Sequence, residues 1–342
     1  MIVSVKQGFE PNQVRDALVA RGLWVRRLDD GDRAHFFVEP HSVALARREI
    51  LALDGVGGVA EGRSGHPLVD RQGPSVKVKG VTFGPGADGN SPVWMAGPCS
   101  IESAAQVAEL AAQLAPLGVR FLRGGAWKPR SSPYSFQGHG EKALAWIRDA
   151  ASAHGLGVIT EAMGEAEVAP VAEVADIIQV PAFMSRQTDL IVAVAKTGKG
   201  VNLKKGQFIA PKDFAHQARK AFDSGNLNVL ATERGATFGY NNLVVDMRGF
   251  AQMREAGLVT CFDATHSVQL PSAGDGETAG ERKFVGLLAR SAAAAGIDAM
   301  FTEVHENPDK ALCDGPCSLT FELFEETLRD VLAIRRALGH QK

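Results

Sequence analysis

Long apolar runs are missing from this sequence. None approaches the ~18 residues that cross a bilayer, and the opening MIVSVKQGFE has no basic region followed by an apolar core. A cytoplasmic protein with no membrane partner is the expectation. Cysteine is scarce as well: Cys99, Cys261, Cys313 and Cys317 are the only four in 342 residues, too few for a dense disulfide framework. Free thiols or metal ligands are expected instead. Charge of one sign is not in excess either, since 37 Lys+Arg against 39 Asp+Glu leave a formal −2. That balance argues against nucleic acid or an anionic surface as partner and points to small molecules.

What is present is organised around Phe121 to Gly140, FLRGGAWKPRSSPYSFQGHG. An apolar run, Val119 to Leu122, breaks at Gly124-Gly125 into a loop with Arg123, Lys128, Arg130, Ser131 and Ser132. A guanidinium offers a bidentate fork and an ammonium a point charge, so cations beside hydroxyls suit a phosphate. Glycine pairs let the backbone approach such a ligand closely.

Residues 1–62 read as a small unit of their own, with strands Ile2 to Val5, Leu23 to Leu28, His35 to Val38 and Val56 to Ala60. Helices over Pro11 to Ala20 and Val43 to Leu53 complete a βαββαβ order, the ferredoxin-like pattern. No reactive constellation lies there, so a regulatory or oligomerising module is one reading and a stabilising appendage the other. Residues 63–92, rich in Gly, Pro and charge, read as a linker with a short hairpin around Val76 to Phe83.

Residues 93–342 alternate short apolar runs with amphipathic helical stretches. Eight runs read as strands: Val93–Ala96, Val119–Leu122, Gly157–Ile159, Ile177–Val180, Val201–Leu203, Val229–Ala231, Val259–Phe262 and Ala299–Thr302. The expected fold is thus α/β, a (β/α)8 TIM barrel preceded by a small ferredoxin-like α+β domain. Polar residues gather where the runs end: Cys99, Arg123, Lys128, Glu161, Gln179, Lys204, Lys205, Glu233, Arg234, Asp263, His266 and Glu303. A barrel builds its active site from those ends.

Two chemistries separate within that ring. Cys99, His266, Glu303 and Asp314 offer a thiolate, an imidazole and two carboxylates, a set suited to Mn²⁺, Fe²⁺, Co²⁺ or Zn²⁺, with His305 and Asp263 as rival ligands. Arg123, Lys128, Lys204 and Arg234 form a cationic cluster that calls for an anion. An aldolase working through a Schiff base on Lys204 or Lys205 is the rival chemistry, and a non-catalytic sugar-phosphate-binding protein the rival of another class.

GPCSIES (Gly97–Ser103), KPRSSPYSFQG (Lys128–Gly138), ERG (Glu233–Gly235), DATHS (Asp263–Ser267), EVH (Glu303–His305) and DGP (Asp314–Pro316) carry a resemblance. Over residues 93–320 the chain is similar to the family that condenses phosphoenolpyruvate with an aldose phosphate. Its two main members are 3-deoxy-D-arabino-heptulosonate 7-phosphate synthase, here of the type I-beta group, and 3-deoxy-D-manno-octulosonate 8-phosphate synthase.

The resemblance implies that Cys99, His266, Glu303 and Asp314 hold a divalent metal. Arg123, Lys128, Lys204 and Arg234 would then bind phosphoenolpyruvate, with Gln179 also in the substrate site. Arg130, Ser131 and Arg186, the last from a neighbouring subunit, would hold the aldose phosphate. Lys128, His266 and Cys99 are the expected catalytic residues, and a homotetramer the expected assembly. An aromatic amino acid, tyrosine or phenylalanine, would act as effector at the N-terminal domain.

The aldose is harder to read. PAFMSRQTDL (Pro181–Leu190), VNLKKGQF (Val201–Phe208), FGYNNLVVDMR (Phe238–Arg248) and SVQLP (Ser267–Pro271) resemble the octulosonate enzyme. Yet Pro129 stands where that enzyme has Ala-Asn, and Met163 where it has His. Losing polar partners for sugar hydroxyls lowers discrimination. The expectation is therefore erythrose 4-phosphate and the first step of the shikimate pathway, with arabinose 5-phosphate as the alternative.

Overall fold

A computed structural model of the chain describes residues 1–30, 33–39, 42–60, 75–85, 87, 92–128, 134, 136–273 and 279–339. It divides into two compact units, Met1–Gly73 and Pro74–Lys342.

The first unit has strands β1 (Ile2–Val5), β2 (Val25–Asp30), β3 (Arg33–Val38) and β4 (Val56–Ala60). They form an antiparallel sheet of order β2-β3-β1-β4. Helices α1 (Pro11–Val19) and α2 (Arg47–Leu51) occupy the two crossovers. Val14 and Leu18, four apart and so on one helix face, are buried with Val3, Val5, Phe36, Ile50 and Val59. α2 is shorter than the expected Val43 to Leu53, because the Glu49 carboxylate accepts from Ala46 N at 3.2 Å and starts the helix there.

In the second unit, β7 (Val93–Gly97), β8 (Phe121–Arg123), β9 (Gly157–Glu161) and β10 (Ile177–Val180) open the barrel. β11 (Gly200–Lys204), β12 (Val229–Glu233), β15 (Val259–Asp263) and β18 (Ala299–Glu303) complete it. These eight strands, all paired in parallel, close on themselves. Every residue in them is buried, as parallel strands covered on both faces must be. β8 begins two residues later than expected, after the chain turns through left-handed Gly118, φ 86°. Six strands run on to include their terminal charged residue: Arg123, Glu161, Lys204, Glu233, Asp263 and Glu303.

Amphipathic helices cover the strands. In α3 (Ala104–Leu114) the Ser103 hydroxyl accepts from Gln106 N at 3.1 Å, satisfying a free donor of the first turn, while Val107, Leu110, Ala111 and Leu114 face inward. α4 (Glu141–Ala153), α5 (Glu165–Val174), α6 (Thr188–Lys196), α7 (Pro211–Asp223), α8 (Arg248–Glu255), α9 (Val285–Ala295) and α10 (Phe321–Ala337) follow. Two small hairpins, β13–β14 (Ala236–Thr237, Leu243–Val244) and β16–β17 (Gln269–Leu270, Ala279–Gly280), extend the loops after β12 and β15. Among the described residues no helix is long and apolar enough to cross a membrane.

The hairpin β5–β6 (Val76–Val78, Val81–Phe83) belongs to the barrel unit rather than to a linker. Its turn residues Lys79 and Gly80 both have positive φ, 48° and 71°, the geometry that matches strand twist in a two-residue turn. Val76, Val78, Val81 and Phe83 join Met95, Phe121, Ile177 and Leu230 in one buried cluster. A Cβ on Gly200, the first residue of β11, would come within 2.7 Å of Val78 Cγ2, so the hairpin stops the N-terminal end of the barrel. Phe83→Ala should lower unfolding free energy by about 3–5 kcal/mol in urea titrations. A loss below about 1 kcal/mol would show that the hairpin is not part of the core.

Candidate active site and metal centre

Charged side chains at the strand ends face one another as ion pairs. Arg123 Nη1 donates to Glu303 Oε1 at 2.8 Å and to Pro98 O at 2.8 Å. Lys128 Nζ donates to Glu161 Oε1 at 2.9 Å, and Lys204 Nζ to Asp263 Oδ2. Lys205 Nζ lies 3.4 Å from Glu233 Oε1, which also accepts from Arg234 N at 2.9 Å and Gly235 N at 2.6 Å. Arg234 Nη2 donates to His266 O at 3.1 Å and to Gln269 Oε1. Phe301 on β18 is the floor beneath two of these cations, with Arg123 Cζ 4.6 Å and Lys204 Nζ 4.0 Å from its ring centroid.

Burial alone would lower the Lys128 ammonium's pKa, but Cys99 and Glu161 push it up, so Lys128 stays charged. Burial lowers Lys204 and Arg234 from their usual values, and the Asp263 carboxylate opposes it in both. Burial would raise the Asp263 carboxyl, yet His266 and Lys204 hold it well below the usual range.

Cys99 Sγ, His266, Glu303 and Asp314 each bring one ligand atom to within 4.8 Å of the others. His266 Nε2 is 3.2 Å from Glu303 Oε1 and 3.8 Å from Asp314 Oδ2, and Cys99 Sγ is 3.2 Å from Asp314 Oδ2. The set fits a borderline divalent ion on chemical grounds, with thiol, imidazole and carboxylates converging. Glu303 Oε2 strengthens the fit: it is buried with no hydrogen-bond partner among the described residues, an acceptor that a cation would satisfy. Burial and the nearby Cys313 thiol push the Cys99 thiol well up, a cost that coordination would reverse.

The rival ligands are engaged elsewhere. Asp263 Oδ1 accepts from His266 N and lies 3.0 Å from His266 Nδ1, which directs Nε2 toward the other donors. His305 Nδ1 accepts from Asn307 N at 2.9 Å.

Gln179, expected near substrate, donates to Glu161 Oε2 at 2.9 Å and accepts from Asn202 Nδ2 at 3.2 Å, while Asn202 Oδ1 accepts from Thr232 Oγ1. This chain crosses four adjacent strands and orients the Glu161 partner of Lys128. Sequence reading had no signal for Asn202 and Thr232, which look like any buried strand residues. Cys313, one of the four cysteines expected as free thiols or metal ligands, was not singled out, yet its Sγ is 3.1 Å from Cys99 Sγ. Arg186 is exposed, its backbone carbonyl accepting from Lys220 Nζ at 3.3 Å. Arg130 and Ser131 lie outside the described residues.

A sequence model of the DAHP synthetase I family matches residues 77–336. The chain is 48% identical over 250 residues to a 2-dehydro-3-deoxyphosphooctonate aldolase of Desulfatibacillum aliphaticivorans, covering 71% of this chain and 92% of that one. It is 44% identical over 268 residues to one of Syntrophotalea carbinolica, covering 76% and 95%. Among solved structures, phospho-2-dehydro-3-deoxyheptonate aldolase (DAHP synthase) of Thermotoga maritima matches with a TM-score of 0.74 at 33% identity, over 99% of this chain and 98% of that one.

Glu303→Gln would put an amide donor among the four ligand residues. Metal analysis of the purified variant should fall from about one bound divalent ion per chain to near none. An undiminished metal content would remove Glu303 from the donor set.

Proposed function

The chain belongs to the DAHP synthetase I family, and on that premise we propose that it is a metal-dependent transferase joining phosphoenolpyruvate to arabinose 5-phosphate. The products would be 3-deoxy-D-manno-octulosonate 8-phosphate and phosphate. The observation that carries the chemistry is the meeting, in one barrel mouth, of four buried cations with a donor set fit for a divalent ion. The aldose rests on relatives 44% and 48% identical that carry the octonate name. Those likenesses outweigh the erythrose 4-phosphate expectation.

In the reaction C3 of phosphoenolpyruvate forms a bond to the aldehyde carbon, water adds at C2, and the C2–O bond breaks to release phosphate. A divalent ion held by Cys99, His266, Glu303 and Asp314, with Mn²⁺, Fe²⁺, Co²⁺ and Zn²⁺ all compatible, would supply Lewis-acid polarisation of the aldehyde oxygen. Arg123 and Lys204, steadied over the Phe301 ring, and Arg234, held by His266 O and Gln269, present fixed positive charge to phosphate and carboxylate. Lys128, kept protonated beside Glu161, adds a donor that need not reorganise as charge develops. Arg130 and Ser131, with Arg186 from a neighbouring subunit of a homotetramer, would hold the aldose phosphate.

Erythrose 4-phosphate, giving 3-deoxy-D-arabino-heptulosonate 7-phosphate at the head of the shikimate pathway, is a second reading with its own support. Pro129 and Met163 replace an amide and an imidazole expected for the longer sugar, and the Thermotoga DAHP synthase matches nearly the whole chain. The first unit, with its βαββαβ order and β2-β3-β1-β4 sheet, would be a ferredoxin-like regulatory domain responding to tyrosine or phenylalanine. A cytoplasmic location fits substrates of this class.

Phosphate release from phosphoenolpyruvate, measured with each aldose in parallel and with chelator as control, should be faster with arabinose 5-phosphate and metal-dependent. A higher kcat/KM for erythrose 4-phosphate would establish the second reading. Deleting residues 1–62 should leave turnover within about threefold while abolishing any inhibition by tyrosine or phenylalanine. A folded, metal-loaded but inactive truncation would mean that the first unit takes part in catalysis.

A further inference from the structure

The loops that carry the candidate metal ligands come from distant parts of the chain. Cys99 follows β7, Glu303 ends β18, and Asp314 lies in the loop before α10. One carboxylate outside the ligand set touches all three loops. Glu102, three residues after Cys99, accepts from Leu312 N at 2.8 Å, two residues before Asp314. The same oxygen, Oε1, lies 3.3 Å from His305 Nε2, two residues after Glu303.

Both partners are themselves fixed. His305 Nδ1 accepts from Asn307 N at 2.9 Å, which fixes the ring with its Nε2 edge toward Glu102. Glu102 N donates to Gln106 Oε1 at 2.9 Å, so the first turn of α3 holds the Glu102 backbone in place. The loop needs such an anchor. Asp314 is one of four non-glycine residues with positive φ among the described residues, at 50°, a conformation that surrounding contacts must enforce. Beyond it, Cys317 N and Ser318 N donate to Asp314 O at 3.0 and 3.1 Å. Before it, the anchor is Leu312 N on Glu102.

We infer that Glu102 is a positioning residue of the metal centre: it ties the Cys99, Glu303 and Asp314 loops together and so sets the separation of those three ligands. The inference rests on the metal-centre reading above. Partners that orient ligands typically change metal affinity by about 10–100-fold when removed.

Co²⁺ titration of the metal-free full-length protein, followed by thiolate-to-cobalt charge-transfer absorption, separates the possibilities. Glu102→Ala removes the carboxylate and Glu102→Asp, one methylene shorter, withdraws it from Leu312 N. Either folded variant should bind Co²⁺ about 10–100-fold more weakly than the parent. Glu102→Gln keeps an acceptor oxygen for both partners and should stay within about threefold of the parent, a rescue that a generic folding defect would not give. Parent-like affinity in the Ala or Asp variant, or a Gln variant as weak as Ala, would overturn the positioning role. A parent that gives no thiolate band would overturn the metal centre itself, and the inference with it.

Discussion

Buried charges need partners, and the mouth of this barrel is built on that requirement. Four of its cations are paired with carboxylates from other strands: Arg123 with Glu303, Lys128 with Glu161, Lys204 with Asp263, and Lys205 with Glu233. An unpaired ion at such depth costs several kcal/mol, roughly, so each strand end constrains its neighbours. The pairs also leave directed capacity unspent. Arg123 Nε, Arg234 Nε and Glu303 Oε2 are buried without hydrogen-bond partners among the described residues. A dianionic substrate and a divalent ion are the kinds of ligand that would use such groups.

The same constraint links shape to chemistry. Asp263 pairs with Lys204 on one side and turns the His266 ring on the other, so the cationic cluster and the donor set are not independent. Removing the Asp263 carboxylate would strand the buried Lys204 ammonium as well as release the His266 ring. At the opposite end of the barrel the β5–β6 hairpin closes the core with apolar contacts, including Phe83 against Phe121 at 5.6 Å, and Lys79 Nζ adds an ion pair with Asp176 Oδ2 at 3.1 Å on the outside. Stability and chemistry thus sit at opposite ends of the strands, as barrels commonly arrange them.

The eight strands were legible because strands buried on both faces are mostly apolar, and charge appears only where they emerge. The donor set was legible as residue types but not as a site: Cys99 and Asp314 stand 215 positions apart, and motif resemblance rather than spacing joined them to His266 and Glu303. The hairpin was seen but assigned to a linker, since a strand of three residues gives no sign of what it will bury against. Glu102 was quoted within GPCSIES and passed over, because a hydrogen bond to Leu312 N across 210 positions has no local signature. The aldose is the least legible feature: segments resembling the octulosonate enzyme and the substitutions at Pro129 and Met163 pull in opposite directions, so likeness to relatives had to weigh between them.

The central claim is that one barrel mouth holds both the ion and phosphoenolpyruvate. Anomalous diffraction from crystals grown with Mn²⁺ and phosphoenolpyruvate tests it most directly. The account predicts a single strong peak bonded to Cys99, His266, Glu303 and Asp314, with the phosphate and carboxylate of phosphoenolpyruvate on Arg123, Lys128, Lys204 and Arg234. A peak elsewhere in the chain, or phosphoenolpyruvate bound away from those four cations, would contradict it.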